Sequence, residues 1–121
     1  MFNQTLKDLA NAVVEANRTG ETDALLETRY ATDCVSVEAA PMGEAAGLDA
    51  IRGKHAWWNE NMEFHGGDVE GPYLFEPDRF AVRYTMDVTD RNTGERMQSA
   101  EVAIYTVKDN RIAREEFFYE S

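Results

Sequence analysis

Two carboxylates and a guanidinium, Glu101, Glu116 and Arg114, are the residues of this chain whose types and spacing could do chemistry. Two acids sharing an apolar cavity cannot both ionise easily, so one holds its proton to higher pH and the pair can act as general acid and base. An arginine beside them would hold the partner carboxylate or an oxyanion. The same trio could equally be an ion-pair network that satisfies itself, because structural networks also perturb pKa values. Which reading applies depends on the elements that position the three side chains.

The chain from residue 63 onward alternates apolar and polar residues between turn signals, which predicts strands at 63–75, 79–91, 96–108 and 111–120. If Asp109-Asn110 is a two-residue turn, Lys108 opposes Arg111, Val107 faces Ile112, Tyr105 faces Arg114, Ala103 faces Glu116 and Glu101 faces Phe118. Alternation then puts Val102, Ile104, Ala113, Glu115, Phe117 and Tyr119 on the opposite face. With Thr93-Gly94 as the preceding turn, Met86 opposes Glu101, Tyr84 opposes Ala103 and Val82 opposes Tyr105. Phe80, Val82, Tyr84, Met86 and Val88 then share the face of Glu101, whereas a one-residue slip would substitute Ala81, Arg83, Thr85 and Asp87. The first register gives a coherent apolar wall, interrupted by Glu101, Arg114, Glu116, Tyr84 and Tyr105.

The first half reads as helices. Phe2, Leu6, Leu9 and Val13 form one stripe, and Gly20 is a natural stop. Thr22 and Asp23 can cap a short second helix through Leu25, Leu26 and Tyr30, before a strand at 34–38 and a small-residue loop at 39–47. A third helix over 48–62 aligns Ile51, His55, Trp58 and Met62, which can bring His55 and Trp58 over the acidic patch. On that stripe His55 is either a hydrogen-bonded core histidine or a ligand contact, and Trp58 is core or pocket wall. Three helices followed by an antiparallel sheet is a segregated α+β arrangement in a single domain, residues 1–121. A curved sheet covered on one face by helices leaves a funnel for a ligand. Its other face, with Val102, Ile104, Phe117 and Tyr119, is too apolar to leave in water, which predicts a homodimer through the outer sheet face.

Composition narrows the partners. Twelve basic against twenty-three acidic residues give a formal charge of −11, which repels phosphate backbones and anionic membrane surfaces. Nucleic acid and membrane are therefore not expected partners; a small-molecule ligand is. Hydrophobic residues at 43% and charged residues at 29% suit a packed domain rather than a disordered one. The opening MFNQTLKDLANAVVEA has no basic segment followed by an apolar run, and no stretch approaches the roughly 20 apolar residues of a membrane span. The single cysteine, Cys34, fits a reducing, cytoplasmic setting and reads as buried and inert. There is no HxH, HExxH or paired CxxC, and Gly66-Gly67 lacks the context of a phosphate loop, so no metal and no cofactor are expected. His65 before those glycines reads as a bend.

The stretches TLKDLANAVVEANRTGETDALLETRYATDCVSVE, GLDAIRGKHAWW and DNRIAREEFFYE together resemble the SnoaL-like branch of the nuclear transport factor 2-like superfamily. That resemblance covers nearly the whole chain. It implies a cone-shaped α+β barrel, three N-terminal helices packed on a curved, mainly antiparallel sheet, with a pocket at the open end and frequent dimers. Activities in the superfamily include polyketide cyclisation, ketosteroid isomerisation, dehydration and epoxide hydrolysis, and many members are non-catalytic. In ketosteroid isomerases a catalytic Asp follows the "V-E" of the first strand. Here Val37-Glu38 leads into Ala39-Ala40-Pro41, and the first helix has no tyrosine to donate to an oxyanion. Epoxide hydrolases of the family use an Asp–Arg–Asp arrangement, and Glu101, Arg114 and Glu116 are similar in chemistry. SnoaL-type cyclases use one acid on the sheet, which either glutamate could supply.

The expectation is a cofactor-independent acid–base enzyme of the cyclase, isomerase, dehydratase or epoxide hydrolase type, acting on a mostly apolar carbonyl or epoxide compound. Glu101 or Glu116 would be the base and Arg114 the orienting cation. Tyr84, Tyr105, His55, Trp58, Met86 and Phe118 would line the pocket. The rival is a non-catalytic ligand-binding or dimerisation module.

Overall fold

A computed structural model of the chain describes residues 4–39 and 43–120. Phe2, from the first apolar stripe, and Ala40-Pro41, from the expected loop, lie outside them. The elements run α1 (Gln4–Thr19), α2 (Thr22–Arg29), β1 (Tyr30–Val37), β2 (Glu44–Ala46), α3 (Leu48–Asn61), β3 (Met62–Phe75), β4 (Arg79–Asp90), β5 (Arg96–Lys108) and β6 (Arg111–Tyr119). Leu6, Leu9 and Val13 keep their predicted stripe and are fully buried. Gly20 ends α1 with φ 80, and the Glu21 amide returns to the Ala16 carbonyl at 2.9 Å. Glu21, not Thr22 or Asp23, occupies the N-cap of α2, without a side-chain cap. Asp23 falls in the first turn, where its charge faces the positive end of the helix. Tyr30 opens β1 rather than closing α2.

The six strands form one sheet in the order β2-β1-β6-β5-β4-β3, antiparallel except for the parallel pair β1 and β6. The four long strands follow the sequence reading to within a residue. The small-residue run at 44–46, read as loop, instead pairs with β1 as an edge strand. The helices cover one face of the curved sheet, with α1 against β3 and β4 and α3 against β1, β2 and β3. This is the α+β cone expected from the sequence. Its core packs Leu6, Leu9, Val13 and Leu26 against Phe80, Val82 and Ile112 of the concave face. Phe80 stacks on Tyr105 with ring centroids 4.8 Å apart.

Two registers differ from expectation, with different consequences. Residues 91–94 close the β4–β5 hairpin, so Tyr84 opposes Glu101, Val82 opposes Ala103 and Phe80 opposes Tyr105. This is a slip of two from the expected pairing, and a slip of two keeps every side chain on its face. The apolar wall of Phe80, Val82 and Tyr84 therefore stands as read. The β5–β6 hairpin does turn at Asp109-Asn110, both with positive φ, as a two-residue turn of this hand requires. After Val107↔Ile112, however, the pairing resumes at Thr106↔Arg114, leaving Ala113 as a β-bulge. One extra residue inverts the rest of β6. Glu115, Phe117 and Tyr119 turn onto the concave face beside Tyr105, Ala103 and Glu101, whereas Arg114, Glu116 and Phe118 turn outward.

Candidate functional site

The bulge exchanges the acid that shares the concave face with Glu101. The expected trio of Glu101, Arg114 and Glu116 does not form, because Arg114 and Glu116 lie on the convex face. There Arg114 Nε meets Glu116 Oε1 at 3.1 Å, with Glu44 at 3.9 Å, in a partly exposed ion-pair group. Phe118 lies on the same outer face and is 52% exposed, so it lines no interior pocket.

Glu115 takes the interior place and is only 3% exposed. A carboxylate this deep needs a partner, and Tyr30 supplies one: its hydroxyl donates to Glu115 Oε2 at 2.5 Å. Burial first, and the adjacent Glu115 second, hold the Tyr30 phenol well above its ordinary range. Removing a hydrogen bond to a buried charge typically costs 1.5–3 kcal/mol. Tyr30→Phe is thus expected to destabilise the fold by about 2 kcal/mol in urea titration, and a loss below about 0.5 kcal/mol would mean that Tyr30 does not hold Glu115.

Glu101 stands on the neighbouring strand with Tyr84 on one side and Tyr119 on the other. No side chain among the described residues hydrogen-bonds to it. Desolvation above all, then the negative charge of Glu38, raises its carboxyl from 4.5 to about 7, while Lys54 opposes the rise. Beside it the Tyr84 and Tyr105 hydroxyls are 2.6 Å apart. One of their two protons bridges the pair, leaving the other to be donated to a third oxygen.

His55 and Trp58 are both half-buried on α3, as their stripe implied. Burial lowers the His55 pKa despite the opposing charges of Glu115 and Asp23, so the imidazole enters neutral pH uncharged. Met86 and Tyr84 line a cleft of about 510 Å³ on the concave side, walled by Arg18 at the end of α1 and by Phe64, Gly67 and Val69 of β3. Its volume lies within the 300–1,000 Å³ usual for small-molecule clefts, but of the expected lining residues it takes only Tyr84 and Met86; Glu101, Tyr105, His55 and Trp58 are not in its wall.

Sequence reasoning passed over the polar group where β1, β6 and α3 meet. Lys54 Nζ lies 2.8 Å from Glu38 Oε1 and 2.7 Å from Ser36 Oγ, and 5.2 Å from the centre of the Phe117 ring. The Tyr119 hydroxyl donates to the other oxygen of Glu38. Lys54 is three residues from Ile51 and four from Trp58, so it shares the face of the 51-55-58-62 stripe, but its charge kept it out of an apolar reading. A polar residue on an apolar stripe gives no hint that it reaches inward. Cys34 is fully buried, with its thiol pushed up to about 12 by desolvation. His65 is the unpaired residue of a bulge in β3 and contacts Thr89 at 2.7 Å. Among the described residues no three His, Cys, Asp or Glu side chains converge as a metal-ligand set, and no helix is long and apolar enough to cross a membrane.

This geometry accords with what the chain is similar to. A protein of Mesorhizobium loti, named as a candidate SnoaL-like polyketide cyclase, is 43% identical, with a TM-score of 0.88 over 93% of this chain and 97% of that one. A candidate polyketide cyclase of Xanthomonas campestris is 21% identical, with a TM-score of 0.73 over 97% and 91% of the two chains. A ketosteroid isomerase-like protein of Erwinia carotovora is 19% identical, with a TM-score of 0.69 over 99% of each. These last two share the fold. No curated protein matches the chain. The model of the SnoaL-like domain matches residues 4–119, and with the cone built by those same residues the chain belongs to the SnoaL-like family, a branch of the nuclear transport factor 2-like superfamily.

Proposed function

We propose that this SnoaL-like domain is a cofactor-independent acid–base enzyme acting on a small, mostly apolar carbonyl or epoxide compound, with Glu101 as its base. The observation that carries this reading is a half-buried carboxylate without a side-chain partner among the described residues, raised to about 7 and set beside the bonded Tyr84–Tyr105 hydroxyls. A base serves best when its pKa lies near the working pH. In its ionised form Glu101 takes a proton from the carbon next to a carbonyl, and the C–H electron pair moves into the new carbon–carbon double bond. The tyrosine pair orients the carbonyl oxygen through its free proton. Returning the proton from Glu101 to another carbon completes an isomerisation, and attack of the enolate on a second carbonyl completes a cyclisation. The names of the similar structures fit such chemistry.

The test is exchange of α-protons from a panel of small cyclic ketones in heavy water, followed by NMR, together with ring opening of small epoxides. Exchange that rises with pH through about 7 and disappears in Glu101→Gln supports the proposal. Unchanged exchange in that variant would sink it. A binding module without catalysis, the alternative, would take up the same compounds in the cleft without exchanging their protons.

The convex face supports a second element of the reading, a homodimer. Tyr73, Phe75 and Phe118 are 52%, 54% and 52% exposed on it, and Val102 and Ile104 lie between them. Such a patch is costly to leave in water. Phe118→Asp is expected to yield a folded monomer by light scattering where the parent chain is a dimer; a parent chain that is itself monomeric would remove the idea. The buried lone thiol and the acidic surface fit a cytoplasmic enzyme that engages neither nucleic acid nor membrane.

A further inference from the structure

We propose that Lys54 is a substrate-binding residue of this site, whose ammonium holds the oxygen that becomes negative when Glu101 removes a proton. The inference rests on the acid–base reading above and extends it to a residue outside both the tyrosine pair and the carboxylates.

An ammonium carries three N–H donors. Ser36 Oγ at 2.7 Å and Glu38 Oε1 at 2.8 Å take two from Lys54, and no third acceptor for it exists among the described residues. The side chain is 27% exposed, and it leans on the Phe117 ring of the concave face. Register places the neighbours of this ammonium. Phe117 pairs with Ala103 and Tyr119 pairs with Glu101, while the Tyr119 hydroxyl touches the carboxylate that holds Lys54. Lys54 is therefore joined through Glu38 to Tyr119, the cross-strand neighbour of Glu101 on the concave face, and its charge is felt at Glu101, where it opposes the rise of the carboxyl. Glu38, Glu101, Glu115, His55, Cys34 and Tyr119 are the titratable groups around it. Beside the phenols of Tyr84 and Tyr105, this ammonium is a charged donor that can share the oxyanion.

The fixed position also argues against a nucleophilic lysine. The nitrogen is ion-paired with Glu38 and hydrogen-bonded to Ser36, an arrangement that uses it as a donor rather than as an attacking group. What it supplies is a charge already in place, fixed by Ser36, which is fully buried. Such preorganised charge stabilises a developing oxyanion without reorganisation at the moment of reaction. The electron balance is that of the enolisation above: the C–H pair becomes the carbon–carbon double bond, the carbonyl π pair moves onto the oxygen, the proton resides on Glu101, and Lys54 donates a hydrogen bond to the oxyanion without losing its proton.

The test uses para-nitrophenol, whose ionised form absorbs in the visible and mimics an enolate oxygen on a planar apolar body. At about pH 6, below the Glu101 value, the bound dye is expected to be about tenfold richer in phenolate than the free dye. Lys54→Met is expected to abolish that enrichment, while Lys54→Arg retains most of it and Glu101→Gln retains it fully. Absent dye binding to the parent protein, or equal enrichment in Lys54→Met, overturns the proposal. If Lys54→Met does not fold because Glu38 is left unpaired, the double variant Lys54→Met/Glu38→Gln removes both charges, and the same readings apply to it. Loss of α-proton exchange in Glu101→Gln tests the base separately, so failure of one reading leaves the other measurable.

Discussion

Glu101→Gln is expected to lower proton-transfer turnover by roughly 100- to 10,000-fold, the range associated with losing a positioned general base. The amide keeps the size of the side chain and removes its basicity, so substrate affinity should change little while kcat falls. The same substitution carries a stability signature that needs no substrate. In the folded chain the carboxyl titrates at about 7, against 4.5 ordinarily. Where both states are protonated, Glu101 imposes no penalty. As pH rises from about 4.5 to about 7, the unfolded chain ionises freely while the folded one must ionise a desolvated group, so the parent loses stability and the loss is complete above about 7. Partial contact with solvent limits the loss to about 2 kcal/mol. Glu101→Gln should therefore match the parent near about pH 4 and exceed it by about 2 kcal/mol near about pH 8 in urea titrations. Equal stabilities at both pH values would show that the carboxyl is not desolvated, and the proposed base would lose its physical support.

Gly67→Ala is expected to destabilise the fold by about 3 kcal/mol or more, seen as a fall in Tm of about 10 °C. A Cβ on Gly67 would lie 2.0 Å from the carbonyl oxygen of Thr85 and 3.2 Å from the Met86 Cα. These are backbone atoms of the adjacent strand, so no side chain can rotate away to make room. The strand itself would have to shift, at the place where β3 pairs with Met86 and lines the cleft. Gly53→Ala is the matched control. It lies on the exposed side of α3 with nothing within 4 Å of an added methyl, and alanine there should stabilise the helix by about 0.5–1 kcal/mol. Equal Tm values for the two variants would contradict the close approach of β3 and β4.

Most of the architecture was legible because periodicity and turn chemistry are local. The Leu6-Leu9-Val13 stripe, the Asp109-Asn110 turn and the long alternating runs each declare themselves within a dozen residues, and the resemblance joined them into a cone. β2 was not legible: Glu44–Ala46 has no β-rich composition and becomes a strand only because β1 offers it an edge. The two-residue slip between β4 and β5 was equally invisible, yet harmless, since the face of Tyr84 and Glu101 survives any even shift.

The bulge at Ala113 is the opposite case. The run Arg114-Glu115-Glu116-Phe117-Phe118-Tyr119 is nearly symmetric between its two faces, with one glutamate and one phenylalanine on each. Neither face is favoured by its own composition, so the run carries no record of which acid enters the cone. By itself the sequence determined the family, the helices, the bounds of the four long strands and the presence of Glu101, Tyr84 and Tyr105 on an apolar wall. Only the tertiary structure decided that Glu115 rather than Glu116 is interior, held by Tyr30 from a strand 85 residues away, and that Lys54 reaches in beside it. The physical reason is that a single extra residue in a strand reverses every side chain beyond it, and such an insertion is settled by what the whole sheet can bury.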